Sequence, residues 1–286
     1  MLFLKSNKQK SFRYCLDTYL IRDPNCYGYS CSNAKNIIEK ITIAKESGYQ
    51  GVELWHKDVL NYKKEFGSLE SLIDLIKYLN LEIVSYKVMQ NFFDLEPFYL
   101  ASELGSKSCI VKLLNDEYCG SKPNPNTVIK NYESLLKKSE NLNIKPSIEF
   151  MSLAKYYNKI DDVCDIMEKI DHPNKSLVLD TWHLWRNGTR DFANVPFHRI
   201  NPNWISVVHY TDAKKDIPRE FQKDGDRKMP EEGVLDLNFF CNKLNSIDYN
   251  NWLSINVYDI SLWKENPKKV ALKGLQTMKR TAEIIN

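Results

Sequence analysis

The sequence predicts an α/β protein that folds as a (β/α)8 TIM barrel. Three observations support this prediction: short apolar segments alternate with longer amphipathic ones, eight short segments occur in 286 residues, and no stretch rich in proline, glycine or serine divides the chain. Alternating strands and helices build a parallel sheet covered by helices, and eight such units close into a barrel. A doubly wound open sheet is the alternative, but no glycine-rich phosphate loop follows an early strand.

The predicted strands are short, and their apolar residues often do not alternate with polar ones. Such strands are typical of a parallel sheet that is buried on both faces. The eight segments are Arg13–Leu16, Gly51–Trp55, Glu82–Tyr86, Cys109–Leu113, Pro146–Phe150, Leu177–Leu179, Trp204–Val208 and Trp252–Val257.

The predicted helices repeat apolar residues with a period close to 3.6, which places those residues on one face. The segment Asn36–Glu46 places Ile37 and Ile41 on such a face, and Gly48 follows as a residue that commonly ends helices. The other predicted helices are Leu69–Leu79, Leu95–Leu104, Thr127–Leu142, Lys159–Ile170, Leu237–Leu244 and Pro267–Ile284. Gly274 interrupts the last of them, where a glycine weakens a helix.

The composition is typical of a soluble globular domain. Hydrophobic residues make up 43% of the chain and charged residues 27%, and the net charge of +3 predicts neither a nucleic-acid nor a membrane partner. No apolar run approaches the roughly 18 residues of a membrane-spanning helix, and the N-terminal run is too short for a signal peptide. The seven cysteines are scattered and odd in number, which favours reduced thiols in a cytoplasmic protein. We expect one domain over residues 1–286.

Polar residues end three successive predicted strands. The fifth strand ends near Glu149, the sixth leads to Asp180, and the seventh leads to His209. The carboxyl ends of the strands of a (β/α)8 barrel surround one opening, where catalytic residues lie. A single acid in this position is more often a helix cap or part of a surface salt bridge, and a single histidine is more often a core residue. Three successive strands with such ends predict a shared site.

Two carboxylates and one imidazole can bind a divalent cation and leave positions for water and substrate. Burying Glu149 and Asp180 without a cation would be unfavourable, so we predict that they bind a metal together with His209. Glu53, after the second strand, and Asn256, after the eighth, reach the same predicted opening. One ion of Mn²⁺, Zn²⁺, Mg²⁺ or Co²⁺ fits these mixed oxygen and nitrogen ligands, which do not select among the four metals.

Six segments also carry a family resemblance. They are Gly48–Trp55 (GYQGVELW), Pro146–Phe150 (PSIEF), Leu177–Gly188 (LVLDTWHLWRNG), Val207–Asp212 (VVHYTD), Arg227–Asp236 (RKMPEEGVLD) and Asp248–Val257 (DYNNWLSINV). In this order and spacing, the chain resembles the xylose-isomerase-like barrel superfamily. That superfamily contains sugar phosphate isomerases and epimerases, inosose dehydratases, a dehydroshikimate dehydratase and the apurinic endonuclease. The resemblance extends over nearly the whole chain.

The resemblance implies roles for particular positions. Glu149, Asp180 and His209 correspond to three of the four metal ligands of the family. Asn256 occupies the position of the fourth ligand, where the family usually has a glutamate that also transfers a proton in epimerases. His183 corresponds to a histidine that contacts the substrate in sugar epimerases.

Further positions are implied to bind substrate. Arg227 resembles the arginine that precedes the P-G-E-G turn of the family, here P-E-E-G, and Glu53 resembles an acid after the second strand. Lys215 stands where the family has an arginine, and a lysine does not form the bidentate contacts of an arginine. Trp55 and Trp182 are predicted to line a sugar-binding opening or to pack within the barrel. Tyr86, Lys87 and Gln90 lie at or after the end of the third strand and could contact substrate, but no motif supports them.

The implied function is that of a metal-dependent isomerase or epimerase acting on a small sugar or polyol-derived carbonyl compound. Glu149 would abstract a proton next to the carbonyl, a metal would stabilise the enediolate, and His183 or Arg227 would hold an oxygen. Asn256 cannot act as a base near neutral pH. A dehydratase of the inosose or dehydroshikimate type and a non-catalytic sugar-binding barrel therefore stay open as alternatives. The expected partner is a small carbohydrate, and a homo-oligomer is compatible with the sequence.

Overall fold

The strands of the protein form a closed parallel barrel, which confirms the predicted (β/α)8 fold. The computed structural model describes residues 11–23, 34–88, 95–113, 121–187 and 192–282. The strands are β1 (Arg13–Asp17), β2 (Gly51–Trp55), β3 (Glu82–Lys87), β4 (Ser108–Lys112), β5 (Lys145–Glu149), β6 (Ser176–Asp180), β7 (Ile205–Tyr210), β8 (Asp212–Ala213), β9 (Arg227–Lys228) and β10 (Trp252–Ile255). All but β8 and β9 lie in the barrel in chain order, and β10 pairs with β1 to close it. The short strands β8 and β9 pair with each other in an antiparallel sheet.

Helices follow most of the barrel strands. They are α1 (Ala34–Ser47), α2 (His56–Phe66), α3 (Glu70–Tyr78), α4 (Glu96–Glu103), α5 (Pro125–Ser139), α6 (Ile160–Lys169), α7 (Thr181–Asn187), α8 (Leu237–Ser246) and α9 (Pro267–Ala282). Each of the seven predicted helices is present with shifted ends, and residues 283–286 at the end of the last prediction lie outside the described residues, as does Gln90. Within the described part of the chain, no helix combines the length and apolar character needed to cross a membrane.

Two helices, α2 and α7, were not predicted. Helix α2 buries only Val59 and Tyr62, so its apolar repeat is too weak to stand out in the sequence. It ends at Gly67, which has the left-handed conformation (φ 81°) common at helix ends. Helix α7 has seven residues and directly follows β6, so the sequence pattern does not separate it from the strand.

The barrel interior has an apolar layer and, beyond it, a polar layer. The apolar layer is a buried cluster of Cys15, Val84, Ile110, Val178, Val207 and Trp252. Side chains alternate along a strand, so the residue two positions after a member of this cluster also faces the barrel interior. After Cys15, Val178 and Val207, these residues are Asp17, Asp180 and His209. The strand pattern therefore places charged side chains together at the carboxyl end of the barrel.

Gly274 in α9 is explained by close packing. A Cβ atom at this position would lie 2.6 Å from Ile255 Cδ1 of β10, well inside van der Waals contact. Glycine lets the long helix approach the barrel, and this contact offsets the lower helix propensity of the residue.

Candidate active site at the carboxyl end of the barrel

The side chains predicted to bind metal are buried at the carboxyl ends of four strands. Glu149 ends β5, Asp180 ends β6, His209 lies near the end of β7, and Asn256 follows β10. Glu149 keeps an exposed fraction of 9%, and the other three are fully buried. The alternation of these strands therefore brings acids, an imidazole and an amide from distant parts of the sequence into one interior region.

His209 lies between carboxylates. Its Nδ1 atom is 2.6 Å from Glu149 Oε1 and 3.6 Å from Asp180 Oδ2, and its Nε2 atom is 3.2 Å from Glu53 Oε2. Burial and the charge of Lys87 lower the pKa of His209, but the surrounding acids Glu53, Glu149 and Asp180 together raise it well above its ordinary value. The imidazole is thus placed to interact with three acids at once.

The two glutamates remain ionised in this environment. Burial alone raises the pKa of Glu53 and of Glu149, but the charges of His209 and Lys87 outweigh burial and lower each pKa to about 2. Ser85 Oγ also donates a hydrogen bond to Glu53 Oε2. Both side chains therefore carry the negative charge that cation binding requires.

Asp180 caps helix α7 with one carboxylate oxygen and pairs with an arginine through the other. Its Oδ1 atom accepts the backbone N–H of His183 at 2.8 Å, as an N-cap residue of α7 does. Its Oδ2 atom accepts from Arg227 Nη1 at 2.8 Å. Burial raises the pKa of Asp180, but the charges of Arg227 and of the neighbouring His209 act in the opposite direction and leave it far below its usual range. The acid is held rigidly by the helix that follows it.

His183 is buried between a serine and an arginine. Ser152 Oγ lies 2.8 Å from its Nδ1 atom, and Arg227 Nη2 lies 3.2 Å from its Nε2 atom. Burial lowers the pKa of His183, with Arg227 acting in the same direction and Asp180 opposing it, so the ring is neutral near pH 7. Because a guanidinium can only donate, Nε2 accepts from Arg227. Nδ1 lies within hydrogen-bond distance of both the backbone N–H of Ser152, at 3.3 Å, and its Oγ atom.

Arg227 connects the acid and the histidine of the L-D-T-W-H segment. It is 1% exposed, binds Asp180 and His183 as described, and also donates to Asp224 Oδ1 at 3.2 Å. Its guanidinium carbon lies 4.7 Å from the centre of the Trp182 ring. Trp182 is fully buried and donates from Nε1 to Gln222. The indole ring thus packs against the guanidinium group of Arg227. The predicted contact of Trp182 with substrate stays a prediction.

The P-E-E-G turn fixes the strand that carries Arg227. Asp212 of β8 accepts the backbone N–H groups of Gly233 at 2.9 Å and Leu235 at 2.8 Å. A Cβ atom at Gly233 would lie 2.1 Å from Asp212 Oδ1 and 2.3 Å from the Ala213 carbonyl oxygen. A residue without a side chain is therefore required at this position.

We expect Gly233→Ala to lower the free energy of unfolding by about 1–3 kcal/mol, the usual cost of overpacking. The same change should lower activity, because Asp212 and Ala213 pair with the strand of Arg227. Gly225→Ala, on the other side of β9, is the matched control, since a Cβ atom there meets nothing within 4 Å. Urea unfolding of both variants checks the prediction, and equal stability of the two would contradict it.

Asp17, which the sequence left without a role, and Trp55, which was predicted to line the opening or to pack within the barrel, also reach this region. Asp17, at the end of β1, is fully buried, and its Oδ2 atom accepts from Asn256 Nδ2 at 2.7 Å and from Lys87 Nζ at 3.0 Å. Trp55 is 7% exposed and donates from Nε1 to Asp17 Oδ1 at 2.7 Å. Lys215, in contrast, has an exposed side chain in the loop after β8, and its contact with substrate stays a prediction.

The donor set fits a divalent cation. Ligand atoms of Glu149, Asp180 and His183 lie within 4.8 Å of one another, and His209 contacts both acids. Asn256 Oδ1 is a buried acceptor without a hydrogen-bond partner among the described residues. Such an atom is rare in a folded interior unless an ion or water completes it. Oxygen and imidazole ligands in this arrangement suit several divalent metals.

Charge leads to the same conclusion. Four buried carboxylates lie close to His209, Lys87 or Arg227, and they are Asp17, Glu53, Glu149 and Asp180. Without a metal, the raised pKa of His209 leaves the imidazole protonated among these acids. Because a ligating histidine is neutral, a divalent cation would take the place of this proton and supply the positive charge that the carboxylates require.

Comparison with known proteins identifies the family. The family model described as xylose isomerase-like TIM barrel matches residues 41–281, which is most of the chain. The chain belongs to this family. The resemblance inferred from the six sequence segments is thereby confirmed.

Curated relatives are similar over part of their length. The chain is 24% identical over 144 residues to the inosose isomerase of Bacillus subtilis (strain 168), an alignment that covers 50% of this chain and 49% of that protein. It is 23% identical over 258 residues to the 3-dehydroshikimate dehydratase of Pseudomonas aeruginosa, which covers 84% of this chain and 39% of that protein. The matched regions thus span about half or less of these curated relatives.

Solved structures share the fold over nearly the whole chain. The crystal structure of the IolI protein with a binding zinc atom superposes with a TM-score of 0.78 at 18% identity, and covers 94% of this chain and 98% of that one. The structure of L-ribulose 3-epimerase has a TM-score of 0.73 at 12% identity, with 94% of both chains covered. At these identities the similarity establishes a common barrel fold.

Proposed function

We propose that this protein is a divalent-metal-dependent isomerase or epimerase that acts on a small polyhydroxylated carbonyl compound. The observation that carries the proposal is the convergence of Glu149, Asp180 and His209 from three successive strands of the barrel. Membership of the xylose isomerase-like family supports it, as do the names of the relatives, which include an isomerase and an epimerase. The zinc atom in the IolI structure supports a divalent ion as the cofactor.

The residues divide into those that would hold the ion and those that would act on substrate. Glu149, Asp180, His209 and Asn256 are the proposed ligands, and His183 is close enough to join the first two. A divalent ion bound there would polarise a carbonyl group and stabilise negative charge on its oxygen.

Glu149 is the proposed general base. It is ionised near pH 7 and keeps an exposed fraction of 9%, so its carboxylate can accept a proton from a bound substrate. Arg227 orients His183 through Nε2, and Ser152 orients it through Nδ1. Fixed in this way, His183 and Arg227 are placed to hold a substrate oxygen.

A dehydratase is the second candidate function. The similarity to a 3-dehydroshikimate dehydratase favours it, and so does Asn256, because an amide cannot return a proton from the opposite face of the substrate. A single base is sufficient to begin an elimination next to a carbonyl. A barrel that binds a sugar without turnover is the remaining alternative.

Metal analysis tests the cofactor. We expect about one divalent ion per purified chain, and loss of this ion in Asp180→Asn because the ligand charge is removed. Asparagine is also a good N-cap residue, so α7 keeps its hydrogen bond and the loss cannot be attributed to unwinding of the helix. Elemental analysis and circular dichroism provide the measurement. Full metal content in folded Asp180→Asn would contradict the proposed site.

A substrate panel tests the reaction. Metal-loaded protein is incubated with ketoses, inososes and dehydroshikimate, and the products are identified by NMR. A changed stereocentre or a moved carbonyl supports the isomerase or epimerase, and loss of water supports the dehydratase. Binding without product on every compound would favour the non-catalytic barrel.

A further inference from the structure

A buried lysine lies at the carboxyl end of β3, next to the acids of the proposed site. The side chain of Lys87 is 2% exposed. Its ammonium group donates to Asp17 Oδ2 at 3.0 Å and to the Tyr258 hydroxyl at 3.2 Å. Burial of a charged pair is often less favourable than burial of apolar groups of similar volume. Packing alone therefore does not account for a lysine in this position.

Asp17 binds this lysine and has no lone pair left for a further hydrogen bond. Its Oδ1 atom accepts from the Tyr19 backbone N–H at 2.9 Å and from Trp55 Nε1 at 2.7 Å. Its Oδ2 atom accepts from Lys87 and from Asn256 Nδ2. Four donors occupy the roughly four lone-pair positions of a carboxylate. Asp17 is thus a positioning residue for the groups around it.

Lys87 has one donor without an acceptor among the residues that the structure describes. An ammonium group has three N–H donors. Two of them have acceptors, and within the described ranges of the chain no third acceptor contacts Nζ. The rings of Trp55 and Tyr258 lie 5.1 Å and 5.8 Å from Nζ. A free donor beside aromatic rings matches a polyhydroxylated molecule, whose oxygens accept hydrogen bonds and whose C–H faces pack on rings.

The charge of Lys87 acts on Glu53 and on Glu149, the proposed general base. Burial raises the pKa of Glu53 and of Glu149, and Lys87 is one of the charges that lower it. Burial also lowers the pKa of Lys87, but Asp17, Tyr258 and the two glutamates together raise it well above the ordinary value. The side chain is therefore a hydrogen-bond donor rather than a nucleophile, and it acts on the same small region as the proposed base.

We propose that Lys87 is a catalytic residue of the reaction proposed above, and that its third N–H donates to the substrate oxygen that becomes negatively charged when the neighbouring proton is removed. The inference rests on the proposed function. A fixed cation at such an oxygen stabilises the transition state without reorganisation, and loss of one donor of this kind lowers kcat by about 10²–10³-fold.

The test replaces the buried charged pair by a neutral one. In Lys87→Met combined with Asp17→Asn, no buried charge is left unpaired, so the protein is expected to fold. A second variant, Lys87→Gln, keeps a donor to Asp17 but removes the charge. For Lys87→Gln, in which Asp17 still accepts from Asn256, we expect one bound divalent ion per chain and a kcat about 10²–10³-fold below that of the wild type. The double variant is expected to lose at least as much kcat, and its metal content is measured separately because Asp17→Asn also changes the contact with Asn256.

A matched control exists elsewhere in the fold. Lys40 and Asp58 form another largely buried pair at 3.0 Å, between α1 and α2. The double variant Lys40→Met with Asp58→Asn removes the same kinds of charge and is expected to retain kcat within about twofold. It separates the effect of losing a buried pair from the loss of the Lys87 donor.

The outcomes of this experiment distinguish the two proposals. Metal content, kcat and KM are measured for the wild type and all variants with the panel compound that the wild type converts fastest. A metal-loaded Lys87 variant that keeps kcat within threefold of the wild type overturns the role of Lys87 alone. Absence of both metal and turnover in the wild type overturns the proposed function, and the role of Lys87 with it.

Discussion

Replacing Glu149 with glutamine is expected to lower kcat by about 10²–10⁴-fold, the usual contribution of a general base. Glutamine has nearly the same shape, so the side chain still fits between His209 and the opening. It carries no charge and cannot accept the substrate proton. The expected result is a folded protein with little turnover, measured at saturating metal so that weaker binding of the ion does not limit the rate.

Solvent exchange separates proton removal from later steps. In deuterated water the wild type should incorporate deuterium at the carbon next to the carbonyl, and Glu149→Gln should lose this exchange in proportion to kcat. Glu82→Gln is the control, since Glu82 begins β3 at the opposite end of the barrel and binds Arg13 at 2.9 Å. Deuterium exchange at the wild-type rate in Glu149→Gln would assign the base to another residue.

The strand-end acids were predictable because the barrel topology is simple. Once eight strand–helix units are recognised, residues at the carboxyl ends of the strands must surround one opening. Glu149, Asp180 and His209 follow from that rule alone. The position of Arg227 beside Asp180, 47 residues earlier in the chain, came from the family resemblance, since no local pattern links a loop residue to a strand end.

Asp17 was given no role, and Lys87 was given only a contact with substrate that no motif supports. The first predicted strand was ended at Leu16, one residue too early, although the same strand-end rule applied to Asp17 would have included it. Lysines are mostly exposed in folded proteins, so no local pattern marks this one as buried. Only its contact with Asp17, 70 residues earlier, makes the burial of Lys87 understandable, and that contact depends on which strands are neighbours in space.

Trp182 illustrates a limit of residue type as a guide. Its position beside His183 predicted either a wall of the opening or a packed ring. The structure places the indole behind Arg227 with no exposed surface, because α7 begins directly after β6 and turns this residue inward. Whether an aromatic ring faces substrate or core is decided by such tertiary packing, which the sequence pattern does not contain.

Asn256→Asp is expected to destabilise the protein strongly, because it would break the hydrogen bond that Asn256 donates to Asp17. The amide Nδ2 donates to Asp17 Oδ2 at 2.7 Å. A carboxylate of the same shape would place two negative oxygens in contact inside the barrel. With a chelator present, we expect the free energy of unfolding to fall by about 3–5 kcal/mol, the usual cost of an uncompensated buried charge. Urea unfolding is the measurement.

Exchanging the two groups should reverse this loss. In Asp17→Asn combined with Asn256→Asp, one amide again faces one carboxylate and Lys87 still has an acid nearby, so most of the lost stability is expected to return. The double variant also moves a negative charge to the position next to β10, where a carboxylate binds a divalent ion more strongly than an amide does. Added Mn²⁺ or Zn²⁺ should therefore stabilise it more than it stabilises the wild type. If Asn256→Asp alone is as stable as the wild type in chelator, Asp17 does not require an amide at position 256. Asn256 would then be a weaker ligand in the place of the family's acid and not part of a hydrogen-bond network with Asp17 and Lys87.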